Sequence, residues 1–423
     1  MIPMKPSNAE WLGDIPEEWD IARIGDFYKP RNEKVSDEYY APLSVTMKGI
    51  VPQLAFAAKS DDHNNRKLVK KGDFVINSRS DRRGSCGISS YDGSVSLINT
   101  ILTPRGEMNP DYYNWLFHTE QFADEFYKWG HGIVDDLWTT RWQEMKSIMI
   151  VSSPVDQQKA IADYLDDRCA KIDTIIAEAK TSIEEYKELK QAVIYDAVTK
   201  GLDKNADMKD SGIPAIGKVN EKFKIAKIGE LQEGLTDGTH GTYQRLDSGE
   251  LLLSSKNVQN EGLVVGNNES FISTEDYKAI VANGFPQKND ILLCCIGASI
   301  GRCILYPYNY PIAFQRSVIF IRTNHWMLPK FMLYSLQSPS SIMQENVIVN
   351  QSAQAGFYQG LVKQLYVTVP SINEQNKIVS YLDKKIKNID DVISTKESLI
   401  EDLEYYRKSL IYEVVTGKRK VVD

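Results

Sequence analysis

The chain has 423 residues, 42% hydrophobic and 25% charged, with 26 Gly, 16 Pro and 5 Cys. That length corresponds to two or three domains, each able to bury a core, and the composition excludes wholesale disorder and collagen-like fibre. A net charge of −7 (50 Lys and Arg against 57 Asp and Glu) speaks against nucleic acid as a partner only for the whole-chain sum, because phosphate binding depends on local cationic faces.

In chain order, an N-terminal segment (1–19) comes first. It carries Pro, Asp and Glu where a signal peptide needs an apolar run, and no stretch approaches the ~20 apolar residues of a membrane span; with five cysteines in no CxxC pair, a reducing cytoplasm is expected. A variable block (20–153) reads as mixed α/β, with strands in Asp73–Ile76 and Val95–Leu102 between Gly and Asn turns. A helical block (154–203) starts after Pro154 and ends at Gly201. Its stretch from Arg168 to Thr199 makes a rod of ~45 Å at ~1.5 Å per residue. Polar, Pro/Gly-punctuated Lys204–Val219 reads as a linker. A second variable block (220–370) has strands in Asp290–Leu293 and Ser317–Ile321, and a second helical block (371–423) follows Pro370.

The two halves repeat. Gln158 to Asp166 recurs 217 residues later as Gln375 to Asp383, and the spacing holds through Val198-Thr199 and Val415-Thr416. It also reaches back to Asp73/Asp290, Gly84/Gly301 and Lys146/Lys363. A second echo pairs Ile21–Asp26 with Ile225–Glu230 at 204 residues. Both helical blocks carry a sustained a/d seam: Ile172, Ile176, Ile183, Tyr186 and Val193 in one, Ile389, Ile393, Ile400, Leu403 and Leu410 in the other. One such stripe alone is an ordinary core helix. Two in the same register can zip together inside one chain.

Several apparent sites lack an essential part. Gly212–Val219 approximates a phosphate loop but ends in Val where a hydroxyl should hold Mg²⁺. Asn109-Pro110-Asp111-Tyr112 approaches the adenine-clamping motif of amino-methyltransferases, yet reads better as a turn that starts a helix. Cys86, Cys169, Cys294, Cys295 and Cys303 form no CxxC pair, and the five histidines show no ligand spacing. No catalytic or metal site is expected. Candidate DNA contacts are Lys48, Lys70, Lys71, Arg79, Arg82, Arg83 and Arg141 in the first block. In the second they are Ser255, Lys256, Asn257, Arg302, Gln315, Arg316 and Gln351. Arginine in a Gly-ended loop can fork onto guanine or phosphate, and amides and hydroxyls suit base edges. Solvated loops and strand-to-turn boundaries explain the same residues.

This arrangement resembles the specificity subunits of type I restriction–modification enzymes. The resemblance spans essentially the whole chain and rests on Gln157–Asp166, Glu374–Asp383, Gly72–Val75, Asn289–Leu292 and Trp11–Pro16, with Gln157 replacing the Glu374 of the second copy. It implies an α+β chain: two mixed α/β target-recognition domains separated by long helices that pair as an intramolecular antiparallel coiled coil with pseudo-two-fold symmetry. Each domain would read half of a split double-stranded DNA site. The helices would act as ruler and as docking surface for two methyltransferase subunits, joined by restriction/translocase subunits. S-adenosylmethionine, ATP and Mg²⁺ would be bound by those partners and none by this chain, which would itself catalyse nothing. The alternatives are a specificity subunit of a stand-alone methyltransferase complex, a fused methyltransferase or nuclease, or a coiled-coil adaptor without a DNA role.

Overall fold

The computed structural model describes residues 3–55, 63–132, 138–260, 262–351 and 358–421. They fall into two compact units: Met1–Lys180 with Glu397–Asp423, and Thr181–Lys396. The division runs through both long helices, Val155–Lys200 (46 residues) and Ile372–Val415 (44 residues).

Each unit is built on an antiparallel four-stranded sheet of the same order. In the first, the strands are Cys86–Ile88, Phe74–Asn77, Asn99–Pro104 and Tyr28–Pro30. In the second they are Cys303–Leu305, Ile291–Cys294, Val318–Thr323 and Gln232–Asp237. Phe74–Asn77 and Ile291–Cys294 are buried at every position, which is why they read as unbroken apolar runs rather than alternation. A smaller strand pair in each unit accounts for the 204-residue echo: Asp20–Arg23 with Met149–Ser152, and Lys224–Lys227 with Tyr366–Val369. Gly25 and Gly229 follow these strands. Both donate their N–H to a lysine carbonyl, that of Lys146 or Lys363, at 3.0 Å. A Cβ there would meet the same oxygen at 3.0 or 3.1 Å, so the close approach favours glycine.

Asp73 and Asp290 sit just before the central strands and are almost fully buried. Each accepts the backbone N–H three residues earlier, Lys70 at 2.8 Å or Gln287 at 2.7 Å, closing a turn. Gly72 (φ 87°) and Asn289 (φ 71°) occupy the left-handed position of that turn. A buried carboxylate requires a cationic partner. Arg31 supplies it to Asp73 (2.7 and 3.0 Å), and Arg322 to Asp290 (2.9 and 2.7 Å).

The repeated Gln-x2-Ile-x2-Tyr-Leu-Asp motif fastens each long helix to its block. Gln158 accepts the Asn109 N–H at 2.7 Å and donates to the Ser153 carbonyl at 2.7 Å. Gln375 accepts the Leu328 N–H at 2.8 Å and donates to the Pro370 and Trp326 carbonyls at 2.9 Å. The Asp that closes the motif is held by the short helix beneath: Trp115 Nε1 donates to Asp166 at 2.9 Å, and Tyr334 and Lys330 donate to Asp383 at 2.5 and 2.8 Å. Gln157 accepts the Trp19 indole N–H at 2.8 Å. Phe223, at the position of Trp19 in the second unit, has no N–H to offer, and Glu374 pairs instead with Lys377 at 3.6 Å.

Within the first unit, Asp173 pairs with Arg407 at 3.2 Å and Lys180 with Glu404 at 3.8 Å. Within the second, Lys190 pairs with Asp390 at 2.8 Å and Lys396 lies 6.0 Å from the Tyr186 ring centre. In both units the helix segments in contact run in opposite chain directions. Of the expected seam, Ile172, Ile176, Ile183, Ile389, Ile400 and Leu410 are buried. Tyr186, Val193, Ile393 and Leu403 are only partly covered; beside Val193, Ile194 takes the buried place. In each unit one side-chain hydroxyl caps a carbonyl near a helix end, Tyr112 on Val415 at 2.6 Å and Thr368 on Val198 at 2.5 Å.

The 204–219 stretch is not an unstructured linker. Met208–Asp210 pairs with Lys218–Asn220, and Ile216 and Val219 are buried. The N-terminal segment does the same with Met4–Pro6 and Asp14–Pro16. In these hairpins Ser7 bonds the Gly13 carbonyl and Ser211 the Gly217 carbonyl, with Asn8, Gly13, Gly212 and Gly217 all at positive φ. The phosphate-loop lookalike is therefore a hairpin loop running into a strand, without the helix N-terminus that would cradle phosphate.

Candidate nucleic-acid interface

In the first unit, the turn Ser80–Arg82 leaves the buried strand Phe74–Asn77. The Ser80 N–H bonds the Trp138 carbonyl at 3.1 Å, and Arg79 bridges to Thr139, so the structure brings Arg79–Gly84 beside Trp138–Arg141. Trp138 donates its indole N–H to the Tyr127 carbonyl at 2.6 Å, which fits a supporting role. Arg82 and Arg141 are exposed. Among the described residues Arg82 has only Asp81, 3.9 Å away, as an ionic neighbour, whereas Arg83 pairs with Asp124. Lys48 is exposed on the turn between Leu43–Thr46 and Gly49–Pro52. Gly49 there packs so closely on Gly87 that a Cβ on Gly87 would lie 2.8 Å from it.

Lys70 and Lys71 do not join this group. They precede the strand that Arg79 follows, and Asp92 engages both, the Lys70 ammonium at 3.1 Å and the Lys71 N–H at 2.8 Å. The Asp92 hydrogen bond raises the pKa of Lys70. Their sequence neighbourhood misled because a four-residue buried strand separates the two ends.

In the second unit, the candidates converge at one set of strand ends. Ser255 N–H bonds Ser317 Oγ at 3.1 Å, Gln315 N–H the Leu253 carbonyl at 2.8 Å, and Cys295 N–H the Ser317 carbonyl at 3.0 Å. Arg316 is exposed and Gln315 half-buried. Asn257 is 2% exposed, and its amide is spent on the Val264 carbonyl (3.0 Å) and Glu269 (2.7 Å), which holds the turn together. Lys256 pairs with Glu269 at 2.9 Å. Burial works against ionisation of Glu269, but bonds from Lys256, the Gly266 N–H and Asn257 outweigh it and hold its pKa low. Arg302 uses its Nη1 on the Val258 carbonyl (3.1 Å) and Gln259 (2.8 Å). Gln351 ends the helix Pro339–Gln351, and its side chain lies outside the described residues.

One participant went unnoticed in the sequence. Thr239 bridges to Gln315, its carbonyl accepts the Arg316 N–H at 3.0 Å, and next to it His240 meets Asp237 at 2.7 Å. The Gly238-Thr-His-Gly241 run directly after a strand was the available signal. Asn109, by contrast, accepts the Tyr112 N–H at 3.0 Å as an N-cap, the role its Pro-containing turn suggested. All five cysteines are free and buried, and no group of metal-ligating side chains occurs among the described residues. No described helix is long and apolar enough to cross a membrane.

Residues 218–402 match the family model for the type I restriction modification DNA specificity domain. The type I restriction enzyme MjaVIII specificity subunit of Methanocaldococcus jannaschii is 25% identical over 430 residues, covering 96% of this chain and 94% of the relative. A solved chain described under the structural basis of complex assembly and conformational transition of the type I R-M system shares the fold. Its TM-score is 0.73 at 12% identity, over 96% of this chain and 99% of that one. The HsdS subunit from Thermoanaerobacter tengcongensis superposes with a TM-score of 0.53 at 13% identity, over 96% and 98%. The doubled frame, its glutamine fastenings and these likenesses agree: the chain is similar along its length to the specificity subunits of type I restriction–modification systems, and residues 218–402 match the DNA specificity domain of that family.

Proposed function

We propose that this chain selects the DNA sequence for a type I restriction–modification complex and carries out no chemistry itself. Each variable block reads one half of a split site through the side chains at its strand ends: Lys48, Arg79, Arg82 and Arg141 in one, Ser255, Gln315 and Arg316 in the other. The observation that carries this reading is one backbone frame, fastened in both units by the same buried glutamine, that presents different exposed side chains. The paired long helices set the separation of the half-sites and dock two methyltransferase subunits, which hold S-adenosylmethionine. Restriction/translocase subunits bring ATP and Mg²⁺. The acidic total fits a division of labour in which partners supply much of the phosphate contact.

Mapping methylated adenines in the source genome tests this directly. A two-part motif with a fixed gap is expected, and one continuous motif would refute the bipartite reading. In the assembled complex, Arg316→Ala should weaken binding to duplexes carrying that motif. If Arg316 contacts phosphate, the slope of log K against log salt should fall by about one.

A further inference from the structure

The helix Pro339–Gln351 carries a buried acid that the DNA-reading scheme does not use. Glu345 is 4% exposed, and among the described residues its Oε1 has no hydrogen-bond partner. Its other oxygen lies under the turn that leaves the central strand. A Cβ on Gly301 (φ 82°) would sit 2.5 Å from Glu345 Oε2, so the carboxyl fills the space that a side chain there would need. Burial raises its pKa to about 8. Among the described residues no cation answers it. The facing strand contributes the Cys303 thiol, itself pushed well up by burial and by Glu345. The turn contributes Arg302, already bonded to Val258 and Gln259. On its own helix, Gln344 is occupied with the Ser340 carbonyl and both backbone groups of Tyr366.

The first unit lacks this device. The helices Pro110–Phe117 and Pro329–Gln337 begin 219 residues apart, which sets Phe126 at the position of Glu345. Phe126 is fully buried, and no described atom lies within 4 Å of where a Cβ on Gly84, the counterpart of Gly301, would sit.

We propose that Glu345 is a positioning residue that props the Gly297–Arg302 turn while protonated and releases it on ionising. An uncompensated buried carboxylate is costly, so ionisation draws the group toward water, and the turn is what stands above it. The consequence for DNA reading rests on the function proposed above. Recognition by the second block would weaken toward alkaline pH while the first block's would not.

Hydrogen exchange on the full chain, corrected for intrinsic rates, tests the prop without DNA. Between pH 6.5 and 9, protection across residues 295–303 should fall about tenfold in the wild type and stay level across 79–86. Glu345→Gln should hold its protection at both pH values. Glu345→Met, apolar like Phe126, should show the same flat response should the Gln variant fold poorly. A flat wild type, or an equal loss in the variants, overturns the proposal. In a second arm, the complex with its methyltransferase subunits is titrated onto duplexes carrying the mapped methylation motif. Selective loss of wild-type affinity at pH 9 supports the link to recognition. Released protection with unchanged affinity overturns the link between this turn and recognition by the second block and leaves the prop standing.

Discussion

Asp73 and Asp290 occupy the same place in the two units, yet their arginines come from different strands. Arg31 follows the edge strand Tyr28–Pro30, whereas Arg322 lies within the neighbour strand Val318–Thr323. At the position of Arg322 the first unit has Thr103, whose hydroxyl also donates to Asp73, at 3.0 Å. The carboxylate is therefore the fixed part of the frame, and the cation can be supplied by whichever strand reaches it. Identity of frame with exchange of supplier is what lets two copies drift in sequence without losing topology.

The largest expected effect sharpens that contrast. Arg322→Ala leaves Asp290 with a backbone N–H alone and removes the guanidinium that lies 4.2 Å from the Phe285 ring centre. A loss of about 3–5 kcal/mol is expected. Arg31→Ala retains the Thr103 hydroxyl and should cost about 2 kcal/mol. Urea unfolding followed by hydrogen exchange in each unit separates the two, and equal losses would remove the distinction.

The glutamine fastenings come next. Gln375→Ala strands the Leu328 N–H and the Pro370 and Trp326 carbonyls, and should cost about 3 kcal/mol. Gln158→Ala strands fewer groups and should cost about 2 kcal/mol. The same unfolding assay reports both, and a larger loss in the first unit would reverse the comparison.

The smallest effect concerns acid. Burial lowers the pKa of His118, which lies between the Asn114 and Cys86 carbonyls. A depressed imidazole leaves stability intact above the unfolded value of about 6.5 and erodes it as pH falls toward the folded value. Glu345 has the opposite sign: its raised value spares the second unit below about 4.5, the unfolded range, and erodes stability as pH rises toward about 8. Unit-resolved exchange between pH 5 and 9 should therefore show the first unit loosening toward acid and the second toward alkali. Parallel profiles would contradict both assignments.

Much of the frame was legible because its fastenings are local in sequence. Gln158 and Gln375, Asp73 and Asp290, Gly25 and Gly229 recur at constant spacing since each serves the backbone beside it. The side chains at the strand ends were less so. Asn257 and Arg302 look like DNA contacts in a linear reading, and only the fold shows that the Asn257 amide and the Arg302 Nη1 already have partners within the protein. The hairpin at 208–220 escaped notice because its strands are three residues long and polar on one face. Glu345 was invisible for a different reason: nothing in a single sequence says that a glutamate on a polar-looking helix faces inward.

The first unit is assembled from the two extremities of the described chain, with the Tyr412 hydroxyl on the Trp11 carbonyl at 2.8 Å and the Tyr112 hydroxyl on Val415. The second unit is one uninterrupted stretch. During synthesis the second unit can thus close once Lys396 has left the ribosome, while the first must also wait for the rest of the same helix, from Glu397 to Val415. The faces that residues from Glu397 onward cover stay open while 181–396 are made, so a chaperone would find its work at the amino-terminal half, and premature termination would damage the segment made first.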